Sequence, residues 1–386
     1  MAESRIAAAT LEEDGRILSV LFGSGQMRRF HAIWLRDNAQ DPETRDPGNG
    51  QRLIRVGDLP ENPVIAAAAL DDKGGLELAF GPDGHKTRFE AGWLAENAYD
   101  GIEPSPLTPE DRITWDAALS NRLVAHDFNA IESDDPARLA FLEDLYTLGV
   151  ALVSDAPHDS GTVLRIAEVS GPVRETNYGR LFDVRSSPNP VNLAYSGLGL
   201  QAHTDNPYRD PVPTVQVLHC LQNTVDGGDT SLVDGFAAAE RLQRENRPAF
   251  DLLARYPARF RYDGDGVSDL QARRPMIELG PDGQLLGIRF NNRSAAPLAD
   301  VPFEKMEAYY AAWRSFAGII DDPAMALHFR LEPGMAFSVD NRRVLHSRTA
   351  FSSTGSRWLQ GCYADMDAVG SRRRVLARQL NRQSPR

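Results

Sequence analysis

LQAHTDNPYRDPVPTVQVLHCLQNTVDGGDTSLVDGF, residues 200–236, decides how this chain is read. Apolar runs, VQVLHCLQ (215–222) and TSLVD (230–234), alternate with Asn, Asp, Gly and Pro, the mark of short strands between turns. His203 and Asp205 precede these runs, two positions apart. On a strand, residues i and i+2 share a face, so both side chains can reach one ion. A lone His-x-Asp arises often by chance. Its weight comes from LEPGMAFSVDNRRVLHSRTAF (331–351), which supplies His346 in a strand-then-turn setting. Two imidazoles and a carboxylate on one face of an octahedral ion leave the opposite face open, the facial triad of non-haem iron(II) oxygenases. A β-barrel mouth would bring His346 to the first pair. Arg357, in GSRWLQGCYADMD (355–367), lies beside an apolar run. Its guanidinium suits bidentate binding of a carboxylate such as the distal one of 2-oxoglutarate; the alternative is an ordinary surface arginine. The other histidines (His31, His85, His126, His158, His219 and His328) have no ligand-spaced partner in the sequence.

The strand texture continues through MIELG (276–280), LLGIRF (285–290), MAFSVD (335–340) and WLQGCYADM (358–366), with helices expected near 236–255 and 302–320. DDPARLAFLEDLYTLG (134–149) has a capping Asp, an early Pro and helically spaced apolar residues. VALVSDA (150–156) reads as a strand and RIAEVSGPV (165–173) as a helix. Upstream, RILSVLF and LELAF, separated by DDKGG and GPDG, read as short strands and hairpins. DGIEPSPLTPEDR (100–112) reads as a linker. The expected architecture is mainly β with helical buttresses: a jelly roll over 113–386 and a small β-rich domain over 1–103. No internal repeat and no low-complexity tract is expected.

At 386 residues, 42% hydrophobic and 25% charged, the chain has the composition of a globular protein with two domains. A net charge of -12 and a pI near 5.2 argue against a nucleic-acid partner. The two cysteines, Cys220 and Cys362, are too few for a disulfide scaffold or a cysteine zinc site. With no apolar run long enough for a membrane span and no signal-like start, a cytoplasmic location is expected.

HTDNPYRDPVPTVQVLHCLQNTVDGGDTSLVDGF and DNRRVLHSRTAFSSTGSRWLQGCYADMD, with WLRDN (34–38), resemble the γ-butyrobetaine hydroxylase family, part of the larger group similar to taurine dioxygenase. The resemblance spans almost the whole chain. It implies a double-stranded β-helix that holds iron(II) by His203, Asp205 and His346, and 2-oxoglutarate by Arg357 and Thr230. It implies O2 as oxidant, ascorbate as a helpful reductant in vitro, and a homodimer. In many members WLRDN runs into cysteines that bind zinc. Here it runs into AQDPETRDPGNG (39–50), so no zinc is expected and turn chemistry must hold the loop.

The family's aromatic cage for a trimethylammonium group falls on Tyr178, Phe182, Tyr195 and Tyr363, because a quaternary cation is recognised through ring faces. Asp183 could attract the cation or be structural. Asn192, Asn206, Asn292 and Arg293 are candidates for the substrate's anionic end. An Arg with amide donors suits a phosphonate, with its three acceptor oxygens, better than a carboxylate. The combination is similar to the 2-trimethylaminoethylphosphonate dioxygenases of organophosphonate catabolism. The expected reaction is hydroxylation of the carbon bearing phosphorus, with carnitine formation from γ-butyrobetaine as the alternative. A zinc hydrolase using the same three ligands and an inactive jelly-roll binding protein are the competing classes. Arg357 speaks against the first and the complete triad against the second.

Overall fold

The computed structural model describes residues 5–101, 105–185, 198–264, 266–352 and 354–383. The chain forms two compact units, Met1–Pro104 and Ser105–Arg386. Among the described residues, no helix is long and apolar enough to cross a membrane.

In the first unit, β1 (Ile6–Glu12), β2 (Ile17–Phe22) and β3 (Met27–His31) make an antiparallel sheet that runs into helix α1 (Ala32–Asp37). Then β4 (Val64–Leu70), β5 (Leu76–Gly81) and β6 (Lys86–Phe89) make a second sheet that runs into α2 (Ala91–Glu96). The two halves are a structural repeat, which corrects the expectation that there is none. RRFHAIWLRDNA (28–39) and TRFEAGWLAENA (87–98) occupy equivalent places. Phe30 and Phe89 are fully buried, as are Leu35 and Leu94. Trp34 and Trp93 meet with ring centroids 5.6 Å apart. Asn38 and Asn97 each donate from Nδ2 to the carbonyl of the tryptophan four residues earlier, at 3.0 and 2.8 Å. Upstream the halves share a buried Phe followed by Gly, Phe22-Gly23 and Phe80-Gly81, and otherwise mainly apolar alternation, which masks the repeat in the sequence.

After WLRDN, Asp41 Oδ1 accepts from the backbone N–H of Glu43 and of Thr44, and Asp41 Oδ2 pairs with His85 Nε2 at 2.8 Å. His85 Nδ1 lies 3.7 Å from Glu43. His85 therefore does have neighbours at ligand distance: donor atoms of Asp41, Glu43 and His85 lie within 4.8 Å of one another. Each imidazole nitrogen faces a different carboxylate, and the arrangement clamps the loop.

The second unit begins with β7 (Ala125–Asp127), α3 (Phe128–Ser133), α4 (Asp135–Thr147), β8 (Val150–Ser154), α5 (Thr162–Ser170) and β9 (Phe182–Arg185). There follow β10 (Leu200–His203), β11 (Val215–Asn223), β12 (Thr230–Asp234), α6 (Gly235–Glu245) and α7 (Arg247–Arg255). Next come β13 (Ala258–Tyr262), β14 (Leu270–Arg274), β15 (Ile277–Leu279), β16 (Leu285–Ile288), β17 (Ala295–Ala296) and α8 (Met306–Ile320). The unit closes with β18 (Ala326–Phe329), β19 (Ala336–Asp340), β20 (Val344–Arg348), β21 (Arg357–Ala364) and α9 (Met366–Gln383). The helical region expected at 236–255 is two helices, because Asn246 ends α6 and caps α7 through Ala249 N–H.

Two sheets face each other as a jelly roll: β7-β8-β19-β11-β21-β9 and β10-β20-β12-β18. Strand alternation sorts the residues. Val215 and Val217 of β11 pack with α3, α4 and α5 outside the larger sheet, whereas Leu218 and Cys220 join Leu232, Phe337 and Leu359 between the sheets. Helices α6, α7 and α8 form a further core with β13, β15 and β16.

At the closed end of the roll, Arg343 and Asp234 are both buried and form a bidentate pair, Nε to Oδ1 at 3.0 Å and Nη2 to Oδ2 at 2.8 Å. The guanidinium also donates to the carbonyls of Thr147 and Ile113. Asp234 in turn accepts from the N–H of Phe236, capping α6, and from that of Trp115. Gly235 is required beside it: a Cβ there would lie 2.6 Å from the Arg343 carbonyl oxygen. Removing one partner of a buried, fully hydrogen-bonded pair strands the other charge and costs about 3–5 kcal/mol. Arg343→Met is expected to lower unfolding stability by that amount in urea denaturation; a loss under about 1 kcal/mol would show the pair to be dispensable.

Candidate active site

β10 and β20 are antiparallel neighbours, and their register sets His203 directly opposite His346. The imidazole centroids are 4.2 Å apart. Asp205 lies just past the end of β10, so strand alternation alone does not place it. Asn341 does: its Oδ1 accepts from Asp205 N–H at 2.7 Å, and its Nδ2 donates to the carbonyls of Asp205 and Pro213 at 2.9 Å each. Asp205 Oδ1 then stands 3.4 Å from His203 Nε2 and 3.9 Å from His346 Nε2. His346 sits within a strand, not at a turn.

The hydrogen bonds around His203 and Asp205 leave one lone pair of each for an ion, while His346 Nδ1 is buried without a partner among the described residues. His203 Nδ1 donates to the Gln201 carbonyl at 2.7 Å, which leaves Nε2 as the acceptor. Asp205 Oδ2 accepts from Gln216 Nε2 at 2.5 Å and from the Tyr363 hydroxyl at 2.9 Å, which leaves Oδ1. Burial pushes the His346 pKa down to about 3, helped by His203, and burial with the Arg293 charge lowers that of His203. Burial acts to raise Asp205, but the contact with His203 and the positive charge of Arg293 hold it below the usual carboxylate range. Two neutral imidazoles and an ionised carboxylate are the protonation states that metal ligation needs. The donor atoms lie within 4.8 Å of one another, and their chemistry fits an iron(II) facial triad.

These groups line a cavity of about 350 Å³. At its inner end Arg357, from the start of β21, is buried, and its Nε has no partner among the described residues. Arg348 lies on the same wall and donates to the Leu198 carbonyl at 2.8 Å. Thr230 is its register partner and also lines the cavity. Burial and the neighbouring charges of Arg357 and Arg293 push Arg348 down to about 10, and burial lowers Arg357 too. Two buried guanidinium groups, Arg348 and Arg357, line one cavity, and their charge suits an anion. Arg348 was not among the sequence candidates. Its signal was its place two residues after His346, on the same face of a strand.

The outer part of the cavity is aromatic. Tyr178, Phe182 and Tyr363 line it, with centroid separations of 6.0 Å for Tyr178–Phe182 and 5.2 Å for Phe182–Tyr363. Phe182 reaches its place because it faces Gly361 across β9 and β21; a Cβ on Gly361 would lie 2.4 Å from the ring. Tyr208 and Tyr262 join the cluster, stacked with centroids 5.1 Å apart, and were not read from the sequence. Asn206 and Arg293 line the cavity as expected.

Two expectations are corrected. Asp183 points to the other side of β9, where it accepts from Trp358 Nε1 at 2.6 Å and Gln360 Nε2 at 3.1 Å, so the structural role wins. Asn292 is exposed and donates to Gln201 Oε1; Asn291 lines the cavity instead, with its own amide tied to Thr204, Arg293 and Ser294. Asn192 and Tyr195 lie outside the described residues.

The comparisons with known proteins agree with this arrangement. Residues 105–363 match the Taurine catabolism dioxygenase TauD, TfdA family, and residues 9–95 match the Gamma-butyrobetaine hydroxylase-like, N-terminal family. The chain is 36% identical to a gamma-butyrobetaine dioxygenase of Pseudomonas sp. (strain AK-1), over 94% of each chain. It is 33% identical to the mitochondrial trimethyllysine dioxygenase of Gallus gallus, over 92% of this chain and 84% of that one. With the gamma-butyrobetaine dioxygenase of Homo sapiens it shares 30% identity over 97% and 98% of the two chains.

Gln216 donates to Asp205 without touching the ion's position, so its loss should free the carboxylate to rotate. Orienting partners of metal ligands are worth about 10–100-fold in affinity. Gln216→Leu is therefore expected to weaken iron(II) binding at least about ten-fold in an anaerobic metal titration; unchanged affinity would show that Tyr363 alone suffices.

Proposed function

As the chain belongs to the TauD, TfdA family, and is by that membership an Fe(II)- and 2-oxoglutarate-dependent dioxygenase, we propose that it hydroxylates a small trimethylammonium compound with an anionic head, preferentially 2-(trimethylamino)ethylphosphonate. The observation that carries this reading is the pairing of an aromatic cluster with Arg293 and the Asn206 amide in one cavity. The rings suit a cation that cannot donate a hydrogen bond. Arg293 supplies a permanent charge and several donors, which match a phosphonate's extra oxygen and charge.

In this reading His203, Asp205 and His346 would hold iron(II), and Arg357 with Thr230 and Arg348 would hold the distal carboxylate of 2-oxoglutarate. The bound metal with its keto acid and O2 supplies a two-electron oxidation that inserts one oxygen atom into a C–H bond, the other entering succinate as CO2 leaves. The chain's own residues do the rest. Tyr178, Phe182 and Tyr363 fix the cationic end, while Arg293 and Asn206 fix the anionic end. The span between them selects the carbon presented to the metal. The buried imidazoles stay neutral and keep their lone pairs on the ion. For the phosphonate, hydroxylation falls on the carbon bearing phosphorus. Ascorbate support in vitro, an N-terminal loop free of zinc and a homodimer complete the proposal. The second reading, conversion of γ-butyrobetaine to carnitine, is favoured by the 36% identity to the Pseudomonas enzyme.

Both substrates should be assayed side by side for succinate formation. The phosphonate is expected to give the higher kcat/KM, and Arg293→Ala to lower that value by about 10–100-fold, the worth of a hydrogen bond to a charged group. Preference for γ-butyrobetaine, with Arg293→Ala silent, would overturn the phosphonate assignment. Arg357→Ala is expected to raise the KM for 2-oxoglutarate by a similar, about ten-fold or larger, factor; an unchanged KM would place the keto acid elsewhere.

A further inference from the structure

Asn206 occupies the left-handed backbone region, φ +54°, which asparagine tolerates better than most side-chain-bearing residues. It is buried at 3% exposure and lines the cavity. Its Oδ1 accepts from the Tyr208 hydroxyl at 2.7 Å. Its Nδ2 is buried and has no partner among the described residues. A buried N–H without an acceptor is rare and costly, and here it belongs to a residue that lines the cavity.

Tyr208 has one hydroxyl proton. A carbonyl oxygen can only accept, so that proton goes to Asn206. The Tyr178 hydroxyl, 2.8 Å from that of Tyr208, then donates to Tyr208. The order Tyr178 to Tyr208 to Asn206 turns the amide N–H outward. The reverse order would present the amide oxygen to the cavity, beside the Arg293 wall, where an anionic group would be repelled.

We infer that Tyr208 is a specificity-determining positioning residue: its hydroxyl holds the Asn206 amide with Nδ2 facing the substrate's anionic group. The inference rests on the trimethylammonium-anion reading above and deepens it. Because Tyr178 is also a cage ring, two hydrogen bonds join the cation-binding end of the cavity to its anion-binding end.

Tyr208→Phe keeps the ring stacked on Tyr262 and removes only the hydroxyl. Dissociation constants of 2-(trimethylamino)ethylphosphonate, γ-butyrobetaine and choline, whose head is neutral, are measured by calorimetry on the full chain. The variants are Tyr208→Phe, Asn206→Ala and the two combined, with melting temperatures recorded. Tyr208→Phe is expected to weaken the tighter-binding anion about ten-fold and choline less than about two-fold. In the Asn206→Ala background, adding Tyr208→Phe should change anion binding by less than about two-fold. Equal losses for choline and the anion, full additivity of the two substitutions, or no detectable anion binding would each overturn the inference. Should Tyr208→Phe fold poorly, Asn206→Asp replaces the donor with a charge. It is expected to abolish anion binding while choline binding persists, and retained anion binding would overturn the inference. Anion binding without substrate-stimulated succinate would sink the hydroxylase reading and leave this inference standing; turnover insensitive to Tyr208 would do the reverse.

Discussion

The buried pair of Arg343 and Asp234 fixes where two strands begin and end. Asp234 closes β12 and caps α6; Arg343 opens β20. Joined at two points and anchored on the carbonyls of Ile113 and Thr147, the pair leaves β20 no freedom to slide along β12. A one-residue slip would turn every side chain of a strand to the opposite face. His346 and Arg348 would then leave the cavity together. The desolvation of two charges is a large cost, and it is offset here by hydrogen bonds on both partners and by Phe236, whose ring lies 5.3 Å from the Arg343 guanidinium carbon.

The cavity inverts the charge of the protein around it. The chain carries a net charge of -12, yet Arg261, Arg293, Arg348 and Arg357 line a space whose acidic side chains among the described residues are Asp205 and Asp263. That excess of positive charge suits a dianionic cosubstrate and an anionic substrate head. It would oppose a bare trimethylammonium cation, and the aromatic side answers this by offering ring faces. Electrostatics and shape thus orient the same molecule end to end.

Much of the site was legible because its chemistry is carried by scarce residue types at telling spacings. His203 and His346 meet in the structure, and Arg357 and the rings of Tyr178, Phe182 and Tyr363 line the same cavity. What failed was facing. Asp183 and Asn292 each neighbour a cavity residue, and a strand or tight turn sends adjacent side chains to opposite sides; the sequence does not say which parity is inward. Asn341, Gln216 and Tyr208 were invisible for another reason. Their roles are hydrogen bonds to other side chains across the fold, and an isolated Asn, Gln or Tyr carries no such signal. The jelly roll was legible from strand texture, whereas the sheet order depends on long-range pairing that no local pattern encodes.

The doubled β-sheet and helix of the N-terminal unit has a consequence for its folding. A sheet of three short strands has one apolar face that must be buried against another element. Trp34 from one copy covers Trp93 from the other, so each copy is the lid of its twin. A segment ending between them would expose that indole surface to water.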